Sequence, residues 1–116
     1  MEPTTPIDLE VRLLKLDKAL DDAFSELDEA EYEFHEVKTR YEIGMAGARI
    51  ALGSQEVRMT VQEKEDRALI ANSEQAIALA HTEARVKAAR ANVNKLRTQV
   101  DIVRSMGASM RASMEL

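Results

Sequence analysis

Residues 9–51 read LEVRLLKLDKALDDAFSELDEAEYEFHEVKTRYEIGMAGARIA, and the spacing of their apolar side chains determines the fold class. Apolar or small residues recur in it at alternating steps of three and four: Leu9, Leu13, Leu16, Leu20, Ala23, Leu27, Ala30, Phe34, Val37, Tyr41, Gly44, Ala48 and Ala51. This spacing places one apolar stripe, called the seam below, along a single face of an α-helix for about six heptad repeats. No alternation with a period of two competes with it, so the stretch predicts one long helix.

Local signals mark both ends of this helix. Thr5 is a suitable N-cap, Pro6 suits the first helical position, and Asp8 stands three residues after Thr5 as in a capping box. Gly53 directly follows the last periodic residues and is a typical helix stop. The sequence therefore predicts a tail over 1–5, a first helix over about 6–52 and a turn over about 53–59.

A second helix is predicted after the turn, from about 60 to 112, within a single hairpin domain of residues 6–116. It starts at a second capping box, Thr60-Val61-Gln62-Glu63, with Ser54 as an alternative start, and no proline interrupts it. Its distal half repeats the heptad with Val86, Ala89, Val93, Leu96, Val100, Val103, Gly107, Met110 and Met114. Its proximal half shows no single stripe, because residues such as Leu69, Ile70 and Ile77 spread over more than one face.

The two helices are expected to fold back on each other as an all-α, coiled-coil-like antiparallel hairpin. A turn centred near residue 56 would bring Leu16 near Leu96, Ala23 near Ala89 and Gly44 near Ala68. Between Asp17 and Glu36 nine acids accompany one base, whereas between Arg85 and Arg111 seven bases accompany one acid. We interpret these blocks first as partners across the seam, since flanking charges set orientation more than they stabilise.

The composition argues against an enzyme. The chain has 116 residues and no cysteine, so it offers no disulfide and no thiolate ligand. His35 and His81 lack further ligands at metal spacing, there is no glycine-rich phosphate loop, and no serine has a His/Asp constellation nearby. We therefore expect no catalytic residue, no cofactor and no metal.

Membrane and export signals are also missing from the sequence. No apolar run approaches the length of a membrane span, and the first residues do not resemble a secretion signal. We expect a cytoplasmic protein with no membrane partner.

Further burial is expected to come from partners, because a lone hairpin has only one seam. We predict side-by-side packing of hairpins into a homodimer or homotetramer, and binding of another protein. Apolar residues off the regular seam and the methionines near the C-terminus are the candidate interface: Phe24, Tyr32, Leu69, Ile70, Ile77, Met106, Met110 and Met114.

The charge blocks leave two other functions open. The basic block could bind phosphates of nucleic acid, as an accessory factor in recombination or replication, with Arg85, Arg90, Lys95, Arg97 and Arg104 as candidate contacts. It lacks the interleaved aromatic residues of a single-strand binder. The acidic block could inhibit a host protein, with Glu29, Glu33 and Glu36 as candidate contacts.

Several segments carry a family resemblance: residues 57–63 (VRMTVQE), 85–90 (RVKAAR), 96–97 (LR), 103–105 (VRS) and 109–111 (SMR). With them the chain resembles small helical proteins of tailed bacteriophages and prophages. The resemblance implies an interaction or assembly protein in the cytoplasm of an infected or lysogenic bacterium. Such proteins generally have no assigned activity, so it implies no functional residue.

Overall fold

The computed structural model describes residues 4–55 and 57–115. Within these ranges the chain forms three α-helices, α1 (Pro6–Gly53), α2 (Val61–Ala71) and α3 (Ser73–Glu115), and no strand. The all-α prediction is confirmed. Residues 1–3 of the predicted tail and residue 56 of the predicted turn lie outside the described residues.

The predicted capping box starts α1. The backbone N–H of Thr5 donates to Asp8 Oδ2 at 2.9 Å, and the N–H of Asp8 donates to Thr5 Oγ1 at 3.2 Å. Two N–H groups that lack a partner within the helix are thus satisfied reciprocally. These hydrogen bonds also lower the pKa of Asp8 below its ordinary value.

Hydrogen bonds between residues close in sequence mark the end of α1 and the start of α2. The N–H of Ser54 donates to Ile50 O at 3.2 Å and its hydroxyl to Ala51 O at 2.9 Å. No described glycine has a positive φ, so α1 ends without a left-handed glycine at Gly53. Thr60 is the N-cap of α2 and accepts from the N–H of Glu63 at 3.1 Å, which confirms the predicted second start.

The helices divide into two compact units. The first unit contains Met1–Asp28 and Lys87–Leu116, and the second unit contains Glu29–Val86. In the second unit three hydrogen-bonded pairs join α1 to the other helices: Arg49 with Glu65, Gly44 with Asn72, and Glu33 with Arg85. The residue number on α1 falls as the number on its partner rises, so the helices are antiparallel and the predicted helical hairpin is confirmed.

The seam of α1 is the side that packs. Its predicted residues from Leu9 to Ala48 are all buried or half-buried, and only Ala51 is exposed. In the first unit the buried residues are Leu9, Ala23, Ala89, Val93, Val100 and Val103; in the second they are Ala30, Met45, Ala68, Thr82 and Val86. The heptad read from the distal half of the second arm is confirmed as far as Met110, whereas Met114 is exposed.

The prediction of one uninterrupted second helix was wrong. The arm breaks at Asn72, where φ is −111° and ψ is 25°, and α3 then runs to Glu115 rather than to about 112. The proximal half also keeps the heptad that it was expected to lack, through Ala68, Asn72, Gln75, Leu79 and Thr82, all buried or half-buried. Three of these five residues are polar, which hid the repeat from a hydrophobic pattern.

The predicted register was wrong by about one helical turn. Gly44 lies against Asn72, four residues beyond the expected Ala68. The expected register placed equivalent heptad positions directly opposite each other. Side chains of one seam instead fit between those of the facing helix, which offsets the two repeats.

Candidate interaction surfaces

The core buries few large side chains. Among the described residues the two with no exposed surface are alanines, Ala30 and Ala68, and no large side chain is fully buried. Large apolar side chains instead lie exposed on outer faces: Ile7, Val11, Leu14, Tyr32, Ile43, Ile50, Val57, Val61, Leu69, Ile70, Ile77, Ile102, Met106 and Met114. Exposed apolar groups in such number are candidate contact surfaces.

Most of the predicted interface residues belong to this exposed set. Tyr32 is 75% exposed, Ile70 73% and Met114 73%, and Leu69, Ile77 and Met106 are exposed to smaller extents. Phe24 and Met110 are half-buried. The six exposed residues are accessible to a partner, whereas Phe24 and Met110 already pack within the chain.

Phe24 has a partner inside the first unit. The guanidinium carbon of Arg97 lies 4.9 Å from the centre of the Phe24 ring, which is cation–π geometry. The contact covers one face of the ring and orients an arginine that was a candidate nucleic-acid contact. Neither role of this pair was expected from the sequence.

The methionines near the end of α3 line three grooves in the first unit. One is lined by α3 alone, with Ile102, Met106 and Met110 next to Thr98, Asp101, Ser105 and Ser109. Another lies between the helices, with Leu9, Leu13, Val103, Gly107, Met110 and Met114 among its apolar lining and Glu10, Arg104 and Arg111 among its charged lining. The third is lined by Met110 and Met114 with Pro6, Ser109 and Ser113. Flexible thioether side chains in open apolar grooves suit an adaptable contact surface.

Two exposed stripes on α1 were missed by sequence reasoning. Ile7, Val11 and Leu14 follow the spacing i, i+4, i+7 outside the seam, and Ile43 and Ile50 are seven residues apart farther along the helix. Each pair or triplet therefore shares one helix face. The signal was present in the sequence but was overshadowed by the stronger seam.

Several basic candidates are engaged by other side chains. Arg85 donates to Glu33 through Nη1, and its Nη2 lies 3.7 Å from Glu29 Oε2. Arg104 lines the groove with Leu9 and Glu10, and Arg90 also has an interaction partner. Lys95 is exposed. The contact of Arg85 with two residues of the acidic block fits the interpretation that the charge blocks pair within the chain.

Two findings concern metal ions and membrane spans in the described part of the chain. No group of three His, Asp or Glu side chains within 4–55 and 57–115 is placed to hold a metal ion. None of the helices in those ranges combines the length and apolar content that crossing a membrane requires.

Comparison with known proteins gives no relative. No family model, no curated protein and no solved structure matches the chain.

Proposed function

We propose that this chain is a non-catalytic protein–protein interaction or assembly protein of the bacteriophage type, which acts through the outer faces of its helices and associates with itself. The observation that carries the proposal is the contrast between core and surface. The seam fully buries no large side chain, while Tyr32, Ile70 and Ile77 project from outer faces. Two packed helices form a single layer of contact, and a second layer normally covers the remaining apolar surface.

The resemblance to phage helical proteins supports the biological setting. An assembly protein of this class would work in the cytoplasm of the infected bacterium, with a second protein as its other partner. Its contact surfaces would combine apolar side chains with the charged residues around them, as interfaces do.

Solution mass tests the self-association. We expect sedimentation equilibrium at micromolar concentration to give a mass that rises with concentration to a multiple of 13.0 kDa. A variant with Tyr32, Ile70 and Ile77 all changed to Ser should stay helical and lose the association. Thr39→Ser is the matched control, because Thr39 is exposed on α1 and bonds only within its helix, to His35 O. A monomer at every concentration that captures no stoichiometric protein would contradict the proposal.

Nucleic-acid binding is the second candidate, favoured by the seven-residue spacing of Arg90, Arg97 and Arg104. That spacing places the three side chains on one face of α3, with the Arg97 guanidinium over the Phe24 ring. A gel shift at low salt decides it, because phosphate contacts strengthen steeply as salt falls. Binding should weaken in an Arg90→Gln, Arg104→Gln variant and be unaffected by Arg58→Gln. No shift at low salt would reject this candidate.

A further inference from the structure

Asn72 joins α2 to α3 and reaches across to α1. Its backbone N–H donates to Ala68 O and Leu69 O, both at 3.1 Å, and its own carbonyl accepts from the N–H of Ala76 at 2.9 Å. It therefore ends one helix and begins the next. Its half-buried side chain donates through Nδ2 to Ala68 O at 2.9 Å and to Gly44 O at 3.2 Å.

Gly44 is the position on α1 that admits this side chain. A Cβ added at Gly44 would collide with Asn72 Oδ1, and its next nearest neighbour would be Asn72 Cγ at 3.2 Å. Gly47, one turn later on the same helix, has nothing within 4 Å of the equivalent position. The glycine at position 44 thus exposes a helix carbonyl, which has two lone pairs, to a second donor.

We infer that Asn72 and Gly44 form a register lock, which selects one pairing of the hairpin from those that its heptads allow. A heptad repeat by itself tolerates a slip of seven residues, since every seam position then meets an equivalent one. Such a slip would place Asn72 opposite Val37 or Ala51, the seam positions one heptad from Gly44. A side chain at either position blocks the approach to the backbone carbonyl, so the Asn72 amide would lose its bond across the seam. Gln75 and Thr82 are further polar residues in this part of the seam, but the Thr82 hydroxyl bonds within its own helix, whereas Asn72 bonds across to α1. A buried Asn at a seam position is known to fix register.

The register lock also bears on α2. A helix of 11 residues is too short to be stable alone in water. Its attachment to α1 depends on buried Ala68, on the ion pair of Arg49 with Glu65, and on Asn72 at its end. If the register lock is removed, the ion pairs of Arg49 with Glu65 and of Arg85 with Glu33 are left to distinguish one register from the next, and exposed pairs of this kind contribute little.

Site-specific cross-linking tests the register, because the chain has no cysteine of its own. Three double-cysteine variants in the second unit report on it with a short thiol-reactive cross-linker. The pair Glu33→Cys with Arg85→Cys reports the observed register. The pair Glu33→Cys with Ala78→Cys reports a slip of seven in one direction, and Arg40→Cys with Arg85→Cys a slip in the other.

With Asn72 present, we expect only the first pair to link efficiently. With Asn72→Leu, which is apolar and favours helix, we expect at least one slipped pair to rise fivefold or more in yield at the expense of the first. Gly44→Ala should act in the same direction, while Gly47→Ala should change nothing. If Asn72→Leu does not fold, Gly44→Ala decides by the same criterion. Unchanged yields for all three pairs in a folded variant would overturn the inference and leave Asn72 as a helix terminus only.

Discussion

The guanidinium of Arg49 on α1 donates two hydrogen bonds to the carboxylate of Glu65 on α2, from Nε to Oε1 at 2.7 Å and from Nη2 to Oε2 at 3.0 Å. Two parallel bonds of this kind fix direction better than a lysine could. The hydrogen bond and charge of Arg49 lower the pKa of Glu65 below its ordinary value of 4.5. The pair is one of the few polar contacts that hold α2 against α1 in the second unit.

Glu65→Gln should destabilise the hairpin at neutral pH but not in acid. A carboxylate whose pKa is lowered by folding stabilises the folded state above its unfolded pKa, and this contribution is lost as the pH falls through 4.5 and the lower folded pKa. The melting temperatures of wild type and Glu65→Gln should therefore differ at pH 7 and converge as the pH drops below 4. Glu42→Gln, at an exposed position inside α1, serves as the control for a lost surface charge. A difference independent of pH would mean that the ion pair is not responsible.

Two glycines three residues apart on α1 should respond to alanine in opposite ways. Gly47→Ala has open space and should stabilise by up to about 1 kcal/mol, since alanine is the better helix former. Gly44→Ala pushes the Asn72 amide away from Gly44 O, and the loss of that hydrogen bond at a half-buried site should outweigh the same gain in helix propensity, for a net cost of about 1 kcal/mol. Urea denaturation followed by circular dichroism measures both.

The same experiment has an internal control in the double variant. Asn72→Ala removes the colliding amide, so Gly44→Ala should become neutral or stabilising in that background. If the cost of Gly44→Ala is the same with and without Asn72, the collision is not its cause, because independent sites add.

The sequence was informative where burial and apolarity coincide. The seam from Leu9 to Ala48 and the caps at Thr5 and Thr60 follow from local spacing and side-chain chemistry, and the structure has them where they were expected. These signals need no knowledge of the other helix. For the same reason, the exposure of Tyr32 and Ile70 could be inferred from their positions off the seam.

The parts that failed depend on pairs of residues far apart in sequence. Asn72 and Thr82 occupy seam positions, but a polar residue signals the seam only when its partner is known. The contact of Asn72 with Gly44, and that of Arg97 with Phe24, join different helices and follow from the register, which the turn alone does not fix. The stripe of Ile7, Val11 and Leu14 was visible in the sequence but was not separated from the seam beside it.

Thr82 is a buried polar residue of the seam, and replacing it with an apolar residue should stabilise the hairpin. It is 5% exposed, and its hydroxyl donates to Leu79 O of its own helix at 3.0 Å, so it makes no polar contact across the seam. Thr82→Val keeps the branched shape, adds buried apolar surface and leaves the Leu79 carbonyl to the helix. We expect an increase in stability of about 1 kcal/mol or slightly less, in line with the value of one buried methyl group. Asn72→Val should lower stability instead, because Asn72 does bond across the seam. If Thr82→Val destabilises the hairpin, Thr82 has a partner other than its own helix.

The pairing of Phe24 with Arg97 should be measurable as a coupling energy in the first unit. Arg97 lies over the ring face, and a cation in that place contributes about 0.5–1 kcal/mol at an exposed site. Phe24→Leu keeps apolar volume but removes the π face, and Arg97→Gln removes the cation. A double-mutant cycle of these two changes, followed by urea denaturation, isolates the pair from the loss of packing. When the salt concentration is raised, the coupling energy of Phe24 with Arg97 should fall less than the coupling energy of Arg40 with Glu36, because salt screens an exposed ion pair. A coupling near zero would mean that Arg97 lies over Phe24 without stabilising the hairpin, and that its charge is available to a partner.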